Sequence, residues 1–323
     1  MPSGITHVLL TKQLQDYLDN GQLKNIIAFA ADSFQVGAVG PDLPYTSLFD
    51  NNILSSEINL ADDFHYKFTN QIPLQSFRRL RELNGQVGEE IHYHLFAFFL
   101  GYASHVFADG IIHPFIRDMV GEYIDHKAEH RSLEMQLDVL FFEELTKDTG
   151  FNLELNYTDI HDEIEDFYYS KFRKDIVNEF KSLIQTIYHQ NYSTRKISGW
   201  IRGLHRMFGL AEGNFPRYYR NLRINTFSFR NLEDINREEA TILTRPEDRE
   251  INFLKVDTID YFKDCIPQFR KQFIPFAQKA FSFVYDGGME ITELDIPEIN
   301  LDTGRILPEN DLDTIPAFWL DNK

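Results

Sequence analysis

Apolar residues recur along this chain mostly at helical spacing. Between Thr6 and Leu18, the residues Val8, Leu9, Leu14 and Leu18 fall close to one helical face. The glycine- and proline-bearing stretch Val36–Pro44 breaks that pattern and predicts a loop. Ile91–Arg117 differs, because apolar or small residues occupy nearly every face; this predicts one long helix buried all round, bent near Gly110 or Pro114. His126–Lys147 is amphipathic again, with Leu133, Leu137, Leu140 and Phe141 on the inner face. Further helices are predicted over Ile160–His189, Thr194–Ala211 and Thr258–Tyr285, joined by polar segments carrying Pro216 and Pro246. From Gly287 onward, proline, acidic and isolated apolar residues alternate, which predicts an extended strap. The expected fold is all-α, with a helical region over 1–150, a second over 151–286 and an extended tail over 287–323. No internal repeat is present.

Composition narrows the chemistry. With 43% hydrophobic and 14% aromatic residues among 323, the chain can fill a substantial core. No uninterrupted apolar stretch reaches the roughly 18 to 20 residues of a membrane span. Fifty acidic against 32 basic residues give a net charge of -18, which repels phosphate backbones, so stable nucleic-acid binding is not expected. The single cysteine, Cys265, rules out an intramolecular disulfide and a thiolate zinc finger; a bound metal has to use His, Asp and Glu. The start Met-Pro-Ser-Gly-Ile-Thr-His lacks the basic, then apolar, pattern of a secretory leader, so a cytoplasmic location is expected.

Seven of the 11 histidines lie between His65 and His130. In His105-Val-Phe-Ala-Asp109-Gly-Ile-Ile-His113, four-residue spacing sets three polar side chains on one helical face. At a rise of about 1.5 Å per residue, His105 and Asp109 are about 6 Å apart along the axis and can share an ion. His105 and His113 are about 12 Å apart, too far to share one zinc with bonds near 2.0 Å. Two metal positions are therefore implied. His130 and Glu134 repeat the four-residue pairing, and with His113 they offer three ligands and an open fourth position. Plainer readings exist for several of these groups. Glu134 and Asp138 suit helix-face charges paired with Arg131 or Lys127. Asp42 suits an ordinary turn in Gly40-Pro41-Asp42-Leu43-Pro44. His126 competes with His130 as a ligand, and His92, His94, His161, His189 and His205 are read as hydrogen-bonded core histidines.

The ordered set as a whole resembles a known family. Gly101-Tyr-Ala-Ser-His105-Val-Phe-Ala-Asp109, then His113-Pro114, then His130 to Glu134, preceded by His7, Gly40-Pro41-Asp42 and the His65 of Asp-Asp-Phe-His-Tyr, is similar to the bacterial zinc-dependent phospholipases C and their S1/P1 nuclease relatives. The resemblance covers roughly residues 1–145. It implies a phospholipase C/P1 nuclease-like helical domain, extended here by C-terminal helices and a tail, that hydrolyses a phosphodiester with two or three zinc ions. One zinc would take Asp42, His65, His105 and Asp109. Asp109 would bridge to a second, held by His7 and the terminal amine. His113, His130 and Glu134 would hold the third. Asp42 is also the implied catalytic residue, orienting or deprotonating the attacking water. Family members present an amino-terminal tryptophan; in this chain, removal of Met1 would expose the Pro2 nitrogen, five residues before His7, as the corresponding ligand. The Asp109 to His113 interval is two residues shorter than in the secreted phospholipases. The implied partner is a phospholipid or related head-group ester, met by transient membrane contact. The alternatives are an S1/P1-like nuclease or nucleotidase, and a non-catalytic metal-binding protein that keeps the fold.

Overall fold

The computed structural model describes residues 4–50, 55–121, 125–147, 157–212 and 261–307. Its centre is the apolar helix expected from the sequence, α6 (Glu89–Val120). Side chains from Leu95 to Arg117 are all buried, which is why the helix shows no polar face. By length and composition Glu89–Arg117 is long and apolar enough to cross a membrane, yet its most apolar window is wholly covered by the rest of the fold.

The layers around α6 begin with α1 (Gly4–Tyr17), α2 (Gly21–Phe29) and α3 (Ala31–Ala38). The α2 start is fixed by Asn20, whose side-chain oxygen accepts from the Gln22 and Leu23 backbone N–H groups, both at 3.0 Å. α3 crosses α6 at backbone contact. A Cβ on Gly37 would lie 2.0 Å from the Phe98 carbonyl oxygen, and one on Gly101 would lie 2.1 Å from that of Phe34. Only glycine at both positions allows this approach. The expected loop over Val36–Pro44 is accordingly shorter than its composition suggests: α3 continues through Ala38, and a 3-10 segment takes over from Leu43 to Asp50. The glycines serve helix packing there rather than a turn.

α4 (Ser55–Tyr66) and α5 (Gln71–Leu83) follow, and neither was anticipated from the sequence. α5 is nonetheless plainly amphipathic, burying Ile72, Phe77, Leu80 and Leu83 while Arg78, Arg79 and Glu82 face outward. α7 (Lys127–Lys147) is held to α1 by Asp138, which accepts from the Thr6 N–H at 3.0 Å and from its hydroxyl at 2.6 Å. The helix expected over Ile160–His189 is two: α8 (Tyr157–Tyr169) and α9 (Arg173–Tyr188). Ser170 makes the break, its hydroxyl accepting from the Phe172 N–H at 3.2 Å in place of a helical bond. α10 (Thr194–Glu212) and α11 (Ile266–Tyr285) match the expected spans closely, the latter entered through one π-helical turn, Tyr261–Cys265. The segments with Pro216 and Pro246 lie outside the described residues, as does the expected region boundary at 150.

The strap after Gly287 is fastened down. Its strands β1 (Ile299–Asn300) and β2 (Arg305–Ile306) pair antiparallel, Ile299 opposite Ile306. The Asn70 side chain donates to the Ile296 carbonyl at 2.9 Å, and Leu301 N–H donates to the His65 carbonyl at 2.9 Å. The turn at Gly304 (φ 67°) lies against α6, where a Cβ would come 2.3 Å from the Gly110 carbonyl oxygen. Pro114, four residues on from Gly110, has no N–H to close that helical bond.

Candidate metal centre

Five elements converge on the middle of α6. α1 supplies His7, the turn between α3 and the 3-10 segment supplies Asp42, α4 supplies His65, α6 supplies His105, Asp109 and His113, and α7 supplies His130 and Glu134. All eight side chains are buried.

They form two adjoining groups. In the first, Asp109 is central. Its Oδ1 faces His7 Nε2 at 3.1 Å, and its Oδ2 faces His105 Nε2 at 3.0 Å and His65 Nε2 at 3.5 Å. Asp42 Oδ1 completes the ring 3.3 Å from His65 Nε2. One carboxylate thus presents its two oxygens to two different histidine sets, the disposition a bridging ligand needs. In the second group, Glu134 Oε1 lies 3.1 Å from His130 Nε2 and 3.5 Å from His113 Nε2. His105 and His113 serve separate groups, as their spacing along α6 requires.

The hydrogen bonds that do form aim the ring nitrogens. His65 Nδ1 donates to the Ala61 carbonyl at 2.7 Å, His105 Nδ1 to that of Ala38 at 2.8 Å, and His113 Nδ1 to that of Leu301 at 3.0 Å. Each bond fixes the tautomer and leaves Nε2, with its lone pair, pointing inward. Around Asp109 most of the facing atoms find no hydrogen-bond partner. Both nitrogens of His7, both oxygens of Asp109, Asp42 Oδ1 and His113 Nε2 are buried without a hydrogen-bond partner. So many buried, unsatisfied polar atoms converging on two points would be costly in a purely structural core. A cation at each point resolves the cost, and an all-His/Asp/Glu donor set suits zinc.

The electrostatics of the centre are strongly perturbed. Burial drives the His7 imidazole down to about 4, so it is neutral at pH 7. Burial alone would raise Asp109, but His105, His113 and His7 hold it well below the usual carboxylate range. Glu134 is likewise held well below its ordinary value against the effect of burial, His130 and His113 being among the groups that lower it. His105 is raised, because Asp109 and Asp42 overcome the effect of burial.

A family model described as zinc-dependent phospholipase C matches residues 6–194. The chain belongs to the zinc-dependent phospholipase C family. No curated protein and no solved structure matches it. All eight gathered residues lie within the matched span, His7 at its very start. Pro2 lies outside the described residues.

The plainer readings divide. Glu134 does meet Arg131, at 3.3 Å, but from a buried position between two histidines. Asp138 is no surface charge: it is buried under Thr6, and burial raises its carboxyl well above the ordinary value. His126 is exposed and joins neither group. His92 and His94 are core histidines, bonded to the Leu80 carbonyl and Tyr285 hydroxyl and to the Ser33 hydroxyl. His189 is instead an exposed left-handed helix cap (φ 55°), and His161 and His205 are only half-buried.

One supporting contact was not visible in the sequence: the strap's hold on His113. The Leu301 carbonyl that orients His113 is held in place next to an ion pair between Asp302 and Arg117 on α6. Asp302→Ala is expected to free the strap and weaken zinc at the His113–His130–Glu134 group by about 10- to 100-fold, the usual cost of losing an orienting partner. Competition with a chromophoric chelator measures this, and unchanged affinity would show that the strap does not position His113.

Two cavities bear on substrate access. The larger, about 470 Å³, lies between Gln22, Phe29, Tyr93 and Tyr285 and touches no candidate ligand. A smaller one of about 70 Å³ adjoins the centre, lined by Asp42, Tyr45, Phe49, Arg131 and Met207 among others. It sets one carboxylate and one guanidinium in a wall that is otherwise mostly apolar.

Proposed function

We propose that this chain is a phosphodiester hydrolase of the phospholipase C type, acting on a phospholipid or a related head-group ester with two or three zinc ions. The observation that carries the reading is the pair of buried histidine–carboxylate groups centred on Asp109 and Glu134. Zinc bound there would supply Lewis acidity and would lower the pKa of water at the site toward about 7. Asp42, at the junction of centre and cleft, orients the attacking water and takes its proton. Arg131 offers a bidentate guanidinium to phosphate oxygens. Val39, Leu48, Phe49 and Met207 provide an apolar wall for the diacylglycerol side of the bond. The chain's charge of -18 favours an esterified lipid head group over polynucleotide. We place the enzyme in the cytoplasm, in transient contact with membrane.

Assay of the zinc-loaded protein on p-nitrophenyl-phosphocholine, phospholipid vesicles and single-stranded DNA tests the proposal. Release of phosphorylated head group and diacylglycerol is expected. Cleavage of DNA alone would assign a nuclease, and no turnover with zinc bound would assign a non-catalytic binding protein.

The metal-free chain should be acid-sensitive. His7 titrates near 6.5 when unfolded and at about 4 when buried. Between those values the unfolded chain binds a proton that the native chain does not, so native stability falls on acidification, by about 3 kcal/mol for His7 alone. His105, whose value is raised, works in the opposite sense and offsets part of this. Denaturant titrations of chelator-treated protein at pH 7.5 and pH 5 should show the loss; greater stability at pH 5 would contradict it.

A further inference from the structure

Away from the centre, α8 and α10 assemble another set of ligand-type side chains. His161 and Glu165 stand four apart on α8, and His205 faces them from α10; one ligand atom of each lies within 4.8 Å of the others. The two rings are 5.0 Å apart and inclined by 38°. His205 Nε2 is a buried atom with no hydrogen-bond partner, its nearest acidic neighbour being Glu165 Oε1 at 3.9 Å. Histidines kept only for packing use their ring nitrogens, as His92 and His94 do here. The His205 ring is held in orientation by stacking on Tyr168, at 4.8 Å and 19°. The cations nearby are committed elsewhere, Arg202 and Arg206 both pairing with Asp50.

We propose that His161, Glu165 and His205 form an ancillary zinc site that clamps α8 to α10. Two imidazoles and a carboxylate are a normal zinc donor set, with water in the fourth position. With bonds of about 2.1 Å, ligand atoms in a tetrahedral site lie about 3.4 Å apart, so the present spacing needs only a small closure. Glu165 can provide it, since its side chain is 44% exposed and free to swing inward. The family match ends at residue 194, where α10 begins, so the clamp joins the family region to the helix that follows it. α10 in turn packs on the 3-10 segment behind Asp42, with the Thr46 hydroxyl donating to the Trp200 carbonyl at 2.6 Å. An ion between α8 and α10 therefore braces the chain that carries Asp42.

The test uses the full chain, stripped with a chelator, reloaded with zinc and analysed by mass spectrometry for metal content and by chelator competition for affinity. His205→Asn and Glu165→Gln are each expected to bind one zinc fewer than the wild type and to lose part of the zinc-dependent rise in Tm. Glu165→Gln is isosteric and half-exposed, so its fold is preserved even where the His205 variant proves unstable. Asp109→Ala is expected to keep the ancillary ion. Wild-type stoichiometry and affinities in both α8–α10 variants would overturn the clamp. Failure of the central reading would look different: Asp109→Ala would then leave zinc content unchanged while Glu165→Gln still removed one ion.

Discussion

Asp109→Asn is expected to lower phosphodiester turnover by about 10³-fold and to remove the zinc-dependent stability of the first group, while changing the stability of the metal-free chain at pH 8 little. The asymmetry follows from the environment. Asp109 is fully buried and anionic, and neither oxygen has a hydrogen bond. At pH 8, where His7 is neutral, the carboxylate has lost part of the histidine charge that offsets its desolvation, so without a cation an amide of the same shape costs the fold little. With zinc at about 1,000 times its dissociation constant, binding contributes about 4 kcal/mol per site, and the variant forgoes it. Thermal melts at pH 8 with and without zinc separate the two effects. A metal-free variant destabilised by about 3 to 5 kcal/mol, the cost of breaking a structural buried pair, would mean that Asp109 serves packing instead.

The second large effect is expected at a position with no chemistry of its own. Gly101→Ala places a methyl 2.1 Å from the Phe34 carbonyl oxygen and 2.8 Å from Ala38 N, so α3 has to move off α6. Overpacking against backbone should cost about 3 kcal/mol. The displacement also pulls the Ala38 carbonyl away from His105 Nδ1, releasing the ring from the tautomer that faces Asp109. Denaturant unfolding and zinc titration should therefore fail together. A variant that loses stability but keeps wild-type zinc affinity would uncouple the helix crossing from the site.

How much was legible in the sequence depended on the range of the interaction. The α6 ligands could be read because four-residue spacing fixes a helical face locally, and the separation of His105 from His113 into two groups followed from helical rise alone. The His130–Glu134 pair was readable for the same reason. Asp42 and His65 carry no local signal; their membership came from order along the chain and resemblance, and the fold then set their side chains 3.3 Å apart. The glycines around Gly37 looked like loop formers because sequence cannot distinguish a turn from a close helix crossing. The break at Ser170 was hidden by an apolar pattern that continues in phase across it. The Leu301 carbonyl was invisible, since any residue can offer a backbone oxygen and the strap reaches His113 across 188 positions. His161 and His205 are half-buried rather than core, and their approach to one another is set by the packing of α8 on α10, which the sequence does not show.

The most direct measurement is an anomalous difference map at the zinc absorption edge from crystals of the zinc-loaded chain. The expected result is density among His7, His65, His105 and Asp109, with Asp42 beside it, and a separate peak held by His113, His130 and Glu134. An empty centre under saturating zinc, with these side chains hydrogen-bonded to one another or to water, would contradict the account.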